Sequence, residues 1–416
     1  MNHMTDIGES CTPADMTSKA AAEEIEPRCT VRAHTGTVKA LLSFEDSDGP
    51  RVLSASSDRT IRMWDMRSNY DTPLKVLQGH DSAVYSLAHL GSRIASGGFD
   101  RSARVWNVSN GSTQQTAAVA QTHVSTVDAI IAYSEGFGCG DTVVSCSGTE
   151  MRIWDIDSGH LVAALRMESR VLGLHSFCVD GATCLFCACS DNLLRLYDPC
   201  LLGQSGAAPE PLQLFKGHGA PVAAVSSGRA DDSPPARPGD CRKLPYLISG
   251  SEDGTCRVWN LATSETATTL RGHTAEVNAV ANFALPSMGG ALGSWRLVSG
   301  SEDRTLRLWD PSQGAALLLL RGHSSPVLAV ACAVLDGRAE IVSGGEDNTL
   351  RLWRPETESL CAQASSEFRR LACGACGTHV GWMEASAGAA PEVWCDACHA
   401  NGSRSLRRAE KRHRDD

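Results

Sequence analysis

The sequence predicts an all-β ring of seven four-stranded blades, a seven-bladed propeller, with a small module appended. Three observations carry this. Near-identical stretches recur: "SGSEDGTCRVWN" (Ser249 to Asn260), "SGSEDRTLRLWD" (Ser299 to Asp310) and "SGGEDNTLRLWR" (Ser343 to Arg354). An aromatic residue followed by Asp, Asn or Arg returns at Trp64, Trp106, Trp154, Tyr197, Trp259, Trp309 and Trp353, at intervals of 42 to 62 residues. A period in the low forties with loop insertions suits a propeller blade. Finally, the repeats stop near Gln363, and the residues beyond it differ in composition, being rich in Cys, Gly and Ala and then in Arg.

Within the first unit, alternation and turn residues place the strands. "TVKALLSF" is the first strand, "RVLSAS" the second, "SDRT" a turn, "IRMW" the third and "LKVLQ" the fourth. One unit alone has two open edges and too little core, and radial stacking buries its faces. "CTVRAH" (Cys29 to His34) has the pattern of a fourth strand with no blade before it, so it is a candidate to complete blade seven and close the ring. "ESLCAQ" (Glu358 to Gln363) competes for that role. The expected organisation is a disordered acidic N-terminus over 1–26, the propeller over 27–363, a cysteine-rich module over 364–403 and a basic tail over 404–416.

Composition narrows the class. The chain has 416 residues, is 42% hydrophobic and 21% charged, and carries a formal net charge of −10. That balance argues against broad binding of phosphate backbones and leaves nucleic acid only to the basic tail "RSLRRAEKRHRDD". No run of about 18 uncharged apolar residues is present, so no membrane span is expected. The N-terminal stretch has neither a basic n-region nor an apolar core, so a secretory signal is not expected. Most of the 17 cysteines lie in strand-like apolar runs, which reads as free thiols in a reducing compartment, cytoplasm or nucleus.

Five units share a fixed constellation, with Ser ten residues and Asp six residues before the Trp and a His upstream. The sets are His34, Ser54, Asp58, Trp64; His80, Ser96, Asp100, Trp106; His218, Ser249, Asp253, Trp259; His273, Ser299, Asp303, Trp309; and His323, Ser343, Asp347, Trp353. Ser, His and Asp are also the members of a hydrolase triad. A triad needs an exposed nucleophile, an oxyanion hole and a cleft. Five copies at a constant distance from a Trp point to a scaffold, and no enzymatic activity is expected.

The His, Ser-x-x-x-Asp, Trp-Asp pattern resembles the WD-repeat β-propeller family, over roughly four-fifths of the chain. The resemblance implies that each set forms a buried hydrogen-bond chain from Asp through His and Ser to the indole N–H. Unit three has Gly148 where the Asp is due, and unit four has Met167 and Cys187 where His and Ser are due. These two blades are therefore expected to lack complete networks. The resemblance also places the His-bearing loops and the Ser-x-x-x-Asp turns on one face, here called the top. The residue before each Asp then sits on its rim. Glu252, Glu302 and Glu346 would form an acidic arc over blades five to seven, and Phe99 would stand beside Arg59 and Arg101 over blades one and two. The expected partner is a protein segment with basic residues toward the arc. "WDMR", ending at Arg67, is similar to the motif of propellers that serve as substrate receptors of cullin-RING ubiquitin ligases, where the terminal Arg contacts the ligase adaptor. The planar guanidinium suits such a contact, and this is the alternative partner.

Cys373, Cys376, Cys395 and Cys398 form CxxC-x18-CxxC, which supplies four thiolates for one tetrahedral structural Zn²⁺ and resembles a zinc ribbon. A closed four-thiolate site keeps no open coordination position, which argues against metal catalysis.

Overall fold

Successive strand residues face opposite sides, and "TIRMWD" behaves so: Ile61 and Met63 are buried between half-buried Thr60 and Arg62, and Trp64 is buried beyond them. The same reading along the chain yields thirty strands in a computed structural model, which describes residues 22–68, 70–107, 123–133, 141–179, 182–199, 202, 210–228, 246–284, 295–311, 314–355, 368–372 and 379–384. No α-helix occurs among the described residues.

Two short strands, β1 (Glu23–Ile25) and β2 (Cys29–Val31), precede the first blade. Blade one is β3 (Val38–Asp46), β4 (Gly49–Ser56), β5 (Thr60–Asp65) and β6 (Lys75–Gln78). Blade two shows β7 (Val84–Leu90), β8 (Arg93–Gly98) and β9 (Ala103–Asn107). Blade three is β10 (Ala129–Tyr133), β11 (Thr142–Ser147), β12 (Glu150–Asp155) and β13 (Leu161–Arg166). Blade four is β14 (Val171–Val179), β15 (Ala182–Cys189), β16 (Leu194–Tyr197) and β17 (Gln213–Phe215). Blade five is β18 (Val222–Gly228), β19 (Tyr246–Ser251), β20 (Thr255–Asn260) and β21 (Thr266–Arg271). Blade six is β22 (Val277–Ala284), β23 (Trp295–Ser301), β24 (Thr305–Asp310) and β25 (Ala315–Arg321). Blade seven is β26 (Val327–Leu335), β27 (Arg338–Gly345) and β28 (Leu350–Trp353), with β2 as its outer strand. Each blade is an antiparallel meander. Every inner strand packs on the inner strand of the next blade, including β26 on β3, which closes the ring.

The closing strand is the early one. Cys29, Thr30 and Val31 pair with Leu352, Arg351 and Leu350. The competing segment, Glu358 to Gln363, lies outside the described residues, as do residues 1–21 and the four module cysteines. The expectation of disorder through residue 26 needs correction at its end. Glu23, Glu24 and Ile25 add in parallel to Leu318, Leu319 and Leu320 of β25. Ile25 packs against the adjoining core and Glu24 meets Arg321 at 3.0 Å. An apolar outer strand with a free edge is a liability, and this short strand covers it. Beyond the ring, β29 (Phe368–Ala372) and β30 (His379–Glu384) form a separate hairpin.

The core is divided among the seams. Seven hydrophobic clusters each join two consecutive blades, and every blade aromatic, from Trp64 to Trp353, is buried in one. Polar stitches add to this apolar packing. Ser226 donates to Asn282 at 2.8 Å, Ser43 donates to the Cys332 carbonyl at 2.8 Å, and His175 Nε2 meets Ser227 Oγ at 2.8 Å. Burial pushes His175 down to about 4. The folded chain therefore binds fewer protons at this ring than the unfolded chain does. Its contribution is full above pH 6.5 and falls by about 3 kcal/mol as the pH drops from 6.5 to 4. Thermal melts from pH 7 to pH 4 should show a shallower decline for His175→Asn than for wild type. Parallel declines would assign the acid sensitivity to other groups.

A second stitch explains one irregular residue. The acid after the blade Trp pairs across the β-hairpin with a residue near the start of the neighbouring strand. Arg51 meets Asp65 at 3.4 Å, and Arg296 meets Asp310 at 3.5 Å. In blade seven the signs are exchanged: Glu340, fully buried, pairs with Arg354. Arg at this position is the complement of Glu340.

Candidate functional site

The top face is built by two recurring backbone devices. The residue before each turn acid donates its N–H to a carbonyl in the preceding loop: Ser57 to Thr37, Phe99 to Ala83, Ser190 to Arg170, Glu252 to Pro221, Glu302 to Glu276 and Glu346 to Pro326, at 2.8–3.0 Å. These six side chains therefore stand at equivalent places around the ring. Near the start of six inner strands the register slips by one residue, at Lys39, Tyr85, Leu172, Ala223, Asn278 and Leu328. Such a bulge re-aims a side chain out of the sheet.

Beneath this surface lie the five repeated sets. In each, His Nδ1 donates to the Asp carboxylate at 2.8 Å, Ser Oγ donates to His Nε2 at 2.7 Å, and the Trp N–H donates to the same Ser Oγ at 2.8 Å. The directions come from chemistry. An ionised Asp only accepts, so Nδ1 carries the proton and Nε2 accepts. Each Ser Oγ is thus engaged on both sides and buried, so these sets present no exposed nucleophile. Burial alone would raise the Asp253 carboxyl, but Thr255, the Gly219 N–H and His218 hold it at about 2. Asp58, Asp100, Asp303 and Asp347 are likewise held below the ordinary range against the effect of burial.

Each set has a fifth member that the sequence pattern alone did not bring out. Thr60, Ser102, Thr255, Thr305 and Thr349 donate a hydroxyl to the Asp at 2.6–2.8 Å. The signal was present: a Thr or Ser comes two residues after every one of these acids.

Blade three corrects an expectation. Its turn is one residue shorter, which deletes the Asp position, yet the network is complete. Glu150 reaches His123 Nδ1 at 3.3 Å, His123 Nε2 meets Ser145 at 2.8 Å, and Trp154 donates to Ser145 at 3.0 Å. The extra methylene of Glu spans the gap from the first residue of β12. Blade four does lack the network. Buried Arg195 instead holds Asp191 at 2.6 Å and Glu168 at 3.0 Å. A bidentate pair, Arg170 to Asp128 at 2.9 and 3.1 Å, ties blades three and four together on the top.

The rim residues divide by charge around the ring. Glu252, Glu302 and Glu346 are exposed on blades five, six and seven. The structure adds Glu276, missed in the sequence. Burial first, then the charges of Glu302 and Glu252, push its carboxyl above the ordinary value. Glu252, Glu276 and Glu302 thus share one field, while Glu346 stands one blade farther on. Phe99 is 57% exposed, with Arg59 and Arg101 exposed at the turn tips of blades one and two. Arg67 is exposed in the β5–β6 connection and lies over Gly49, where an added Cβ would come within 3.1 Å of its guanidinium.

Comparison with known proteins agrees with this geometry. The ribosome biogenesis protein WDR12 homolog of Chlamydomonas reinhardtii is 26% identical over 300 residues, spanning 64% of this chain and 62% of the relative. The ribosome biogenesis protein YTM1 of Chaetomium thermophilum is 27% identical over 256 residues, 60% of this chain and 44% of the relative. The U5 small nuclear ribonucleoprotein 40 kDa protein of Dictyostelium discoideum is 24% identical over 226 residues, 54% of each chain. The chain thus spans between 44% and 62% of the length of these relatives. The WD domain, G-beta repeat family matches residues 25–65, 71–107, 209–260, 264–310 and 314–354, more than half of the chain. Those five stretches are the blades that carry the complete His, Ser, Asp and Trp sets, and on both grounds the chain belongs to the WD domain, G-beta repeat family.

Proposed function

We propose that this chain is a non-enzymatic protein-interaction scaffold whose top face docks a segment of a partner protein, with basic residues of that segment over Glu252, Glu276 and Glu302. The observation that carries this reading is the clustering of three carboxylates at neighbouring positions on the rim, where none of them is part of the internal hydrogen-bond sets. Its relatives are named for ribosome biogenesis and for a small nuclear ribonucleoprotein, so the assembly we propose for it is a nuclear ribonucleoprotein particle, with this chain contributing protein contacts. Affinity purification of wild type and of Glu252→Lys/Glu302→Lys tests the face. Loss of a defined subset of partners at unchanged melting temperature is expected. Retention of every partner rejects the top-face reading, and absence of the wild type from ribonucleoprotein particles on a sucrose gradient rejects the assembly.

We further propose that Cys373, Cys376, Cys395 and Cys398 hold one structural zinc ion beyond the ring. The CxxC-x18-CxxC spacing supports this. Purified full-length protein should carry about one zinc per chain, and Cys373→Ser/Cys395→Ser should carry none. A metal-free wild type with all four thiols titratable excludes the site.

A further inference from the structure

The top face has a second pole, on the far side of the ring from the acidic one. On blades one and two the bulge residues are Lys39 and Tyr85, and the rim residue of blade two is Phe99. The three stand in series, with the two rings tilted by 30°. The Lys39 ammonium lies 5.5 Å from the Tyr85 ring centroid, and the Tyr85 and Phe99 centroids are 6.3 Å apart. Phe99 is 57% exposed, so this large apolar side chain is held at the surface by its turn instead of being buried by the fold. Arg59 and Arg101 project from the adjacent turn tips, and neither they nor Lys39 form an ion pair among the described residues.

The turn tips supply an independent argument. The residue after each turn acid has a left-handed backbone: φ is 72° at Arg59, 65° at Arg101, 70° at Asn192, 75° at Gly254, 68° at Arg304 and 62° at Asn348. Gly and Asn adopt this conformation at least cost, and an Arg does so against its preference. Blades four, five and seven use the undemanding residues. Blades one and two keep Arg where folding favours Asn or Gly, and unfavourable backbone states of this kind gather at functional surfaces. Arg304, the third such case, comes two residues after Glu302, and its single charge leaves the two carboxylates of Glu276 and Glu302 in excess over it.

We propose that Phe99, Tyr85 and Lys39, with Arg59 and Arg101, anchor the acidic, apolar-tipped end of the docked segment, so that a bound peptide lies across the top face with its basic end on Glu252, Glu276 and Glu302. The aromatic pair supplies contact area at low conformational cost. The three cations select carboxylates beside the apolar residue, and the two poles together favour a segment carrying both signs of charge over one of a single sign. The proposal rests on the top-face reading above and specifies the chemistry of its partner.

Dye-labelled synthetic peptides test it by fluorescence anisotropy on the full-length protein. One probe is acidic with a central Leu-Phe pair, one is a short Arg/Lys peptide, and a third joins the two through a Gly-Ser linker. Phe99→Ala, and separately Arg59→Asn/Arg101→Asn, should weaken the acidic probe by about tenfold or more and leave the basic probe unchanged. Glu252→Lys/Glu302→Lys should do the reverse. The joined probe should bind at least about tenfold more tightly than either half. The Asn variants keep the turn intact, since Asn occupies the same position in blades four and seven, and their melts should match wild type. The inference falls if the acidic probe does not bind wild type, binds these variants equally, or is displaced by the basic probe. If the basic probe still depends on Glu252 and Glu302 in that case, the top-face reading survives alone. If it does not, both fall.

Discussion

Arg354→Ala is expected to destabilise the protein by about 3–5 kcal/mol, more than Glu340→Ala, although the pair is lost in both. The asymmetry comes from exposure. The Glu340 side chain is 0% exposed, while that of Arg354 is 33% exposed. Removing the guanidinium strands a carboxylate in the seam between blades seven and one, with Oε2 already lacking a partner among the described residues. Removing the carboxylate leaves a guanidinium that can turn to water. The double variant Glu340→Arg/Arg354→Asp recreates the arrangement of Arg51 with Asp65 and should recover most of the loss. Chemical denaturation of the four proteins measures this. A wild-type midpoint for Arg354→Ala, or a double variant no better than the worse single, would show that the pair does not secure the seam.

The second large effect is expected from Ser299→Ala. Ser299 Oγ accepts the Trp309 N–H and donates to His273 Nε2, so one substitution orphans two buried groups, at about 1–3 kcal/mol each. Asp303→Ala leaves the Ser and Trp paired but removes the acceptor of His273 Nδ1 and of the Thr305 hydroxyl, so it too should cost about 1–3 kcal/mol for each group left unpaired. Blade four shows the escape. It carries Met167, Cys187 and Tyr197 at the His, Ser and Trp positions, so no donor there waits for the missing hydroxyl. His273→Met/Ser299→Cys/Trp309→Tyr should therefore be less destabilised than the sum of its three single changes. Thermal melts decide the matter. Strict additivity, or a Ser299→Ala melt at the wild-type temperature, contradicts the account.

The five repeated sets were legible because their spacing is local: the Ser, turn acid and Trp come from one hairpin, and the His from the loop entering the inner strand of the same blade. Glu150 was not legible. A deleted turn residue shifted the acid onto β12, and only the distance to His123 shows that a longer side chain can replace a lost position. Glu276 was missed for another reason. It lies in the loop entering β22, and its neighbours Glu252 and Glu302 belong to two different blades. The Thr and Ser after each turn acid were visible but unremarkable until their hydroxyls were seen on the carboxylate.

Blade number, strand order within a blade and the identity of the five repeated His, Ser, Asp and Trp sets are set by the sequence alone, since a period and a fixed offset are properties of neighbouring residues. Only the tertiary structure decided that Cys29–Val31 completes the sheet begun by β26, that Glu23–Ile25 covers the edge of β25, and that Arg354 answers Glu340. Each of these depends on which edge or charge the rest of the ring leaves unsatisfied, a quantity that no single stretch of chain contains.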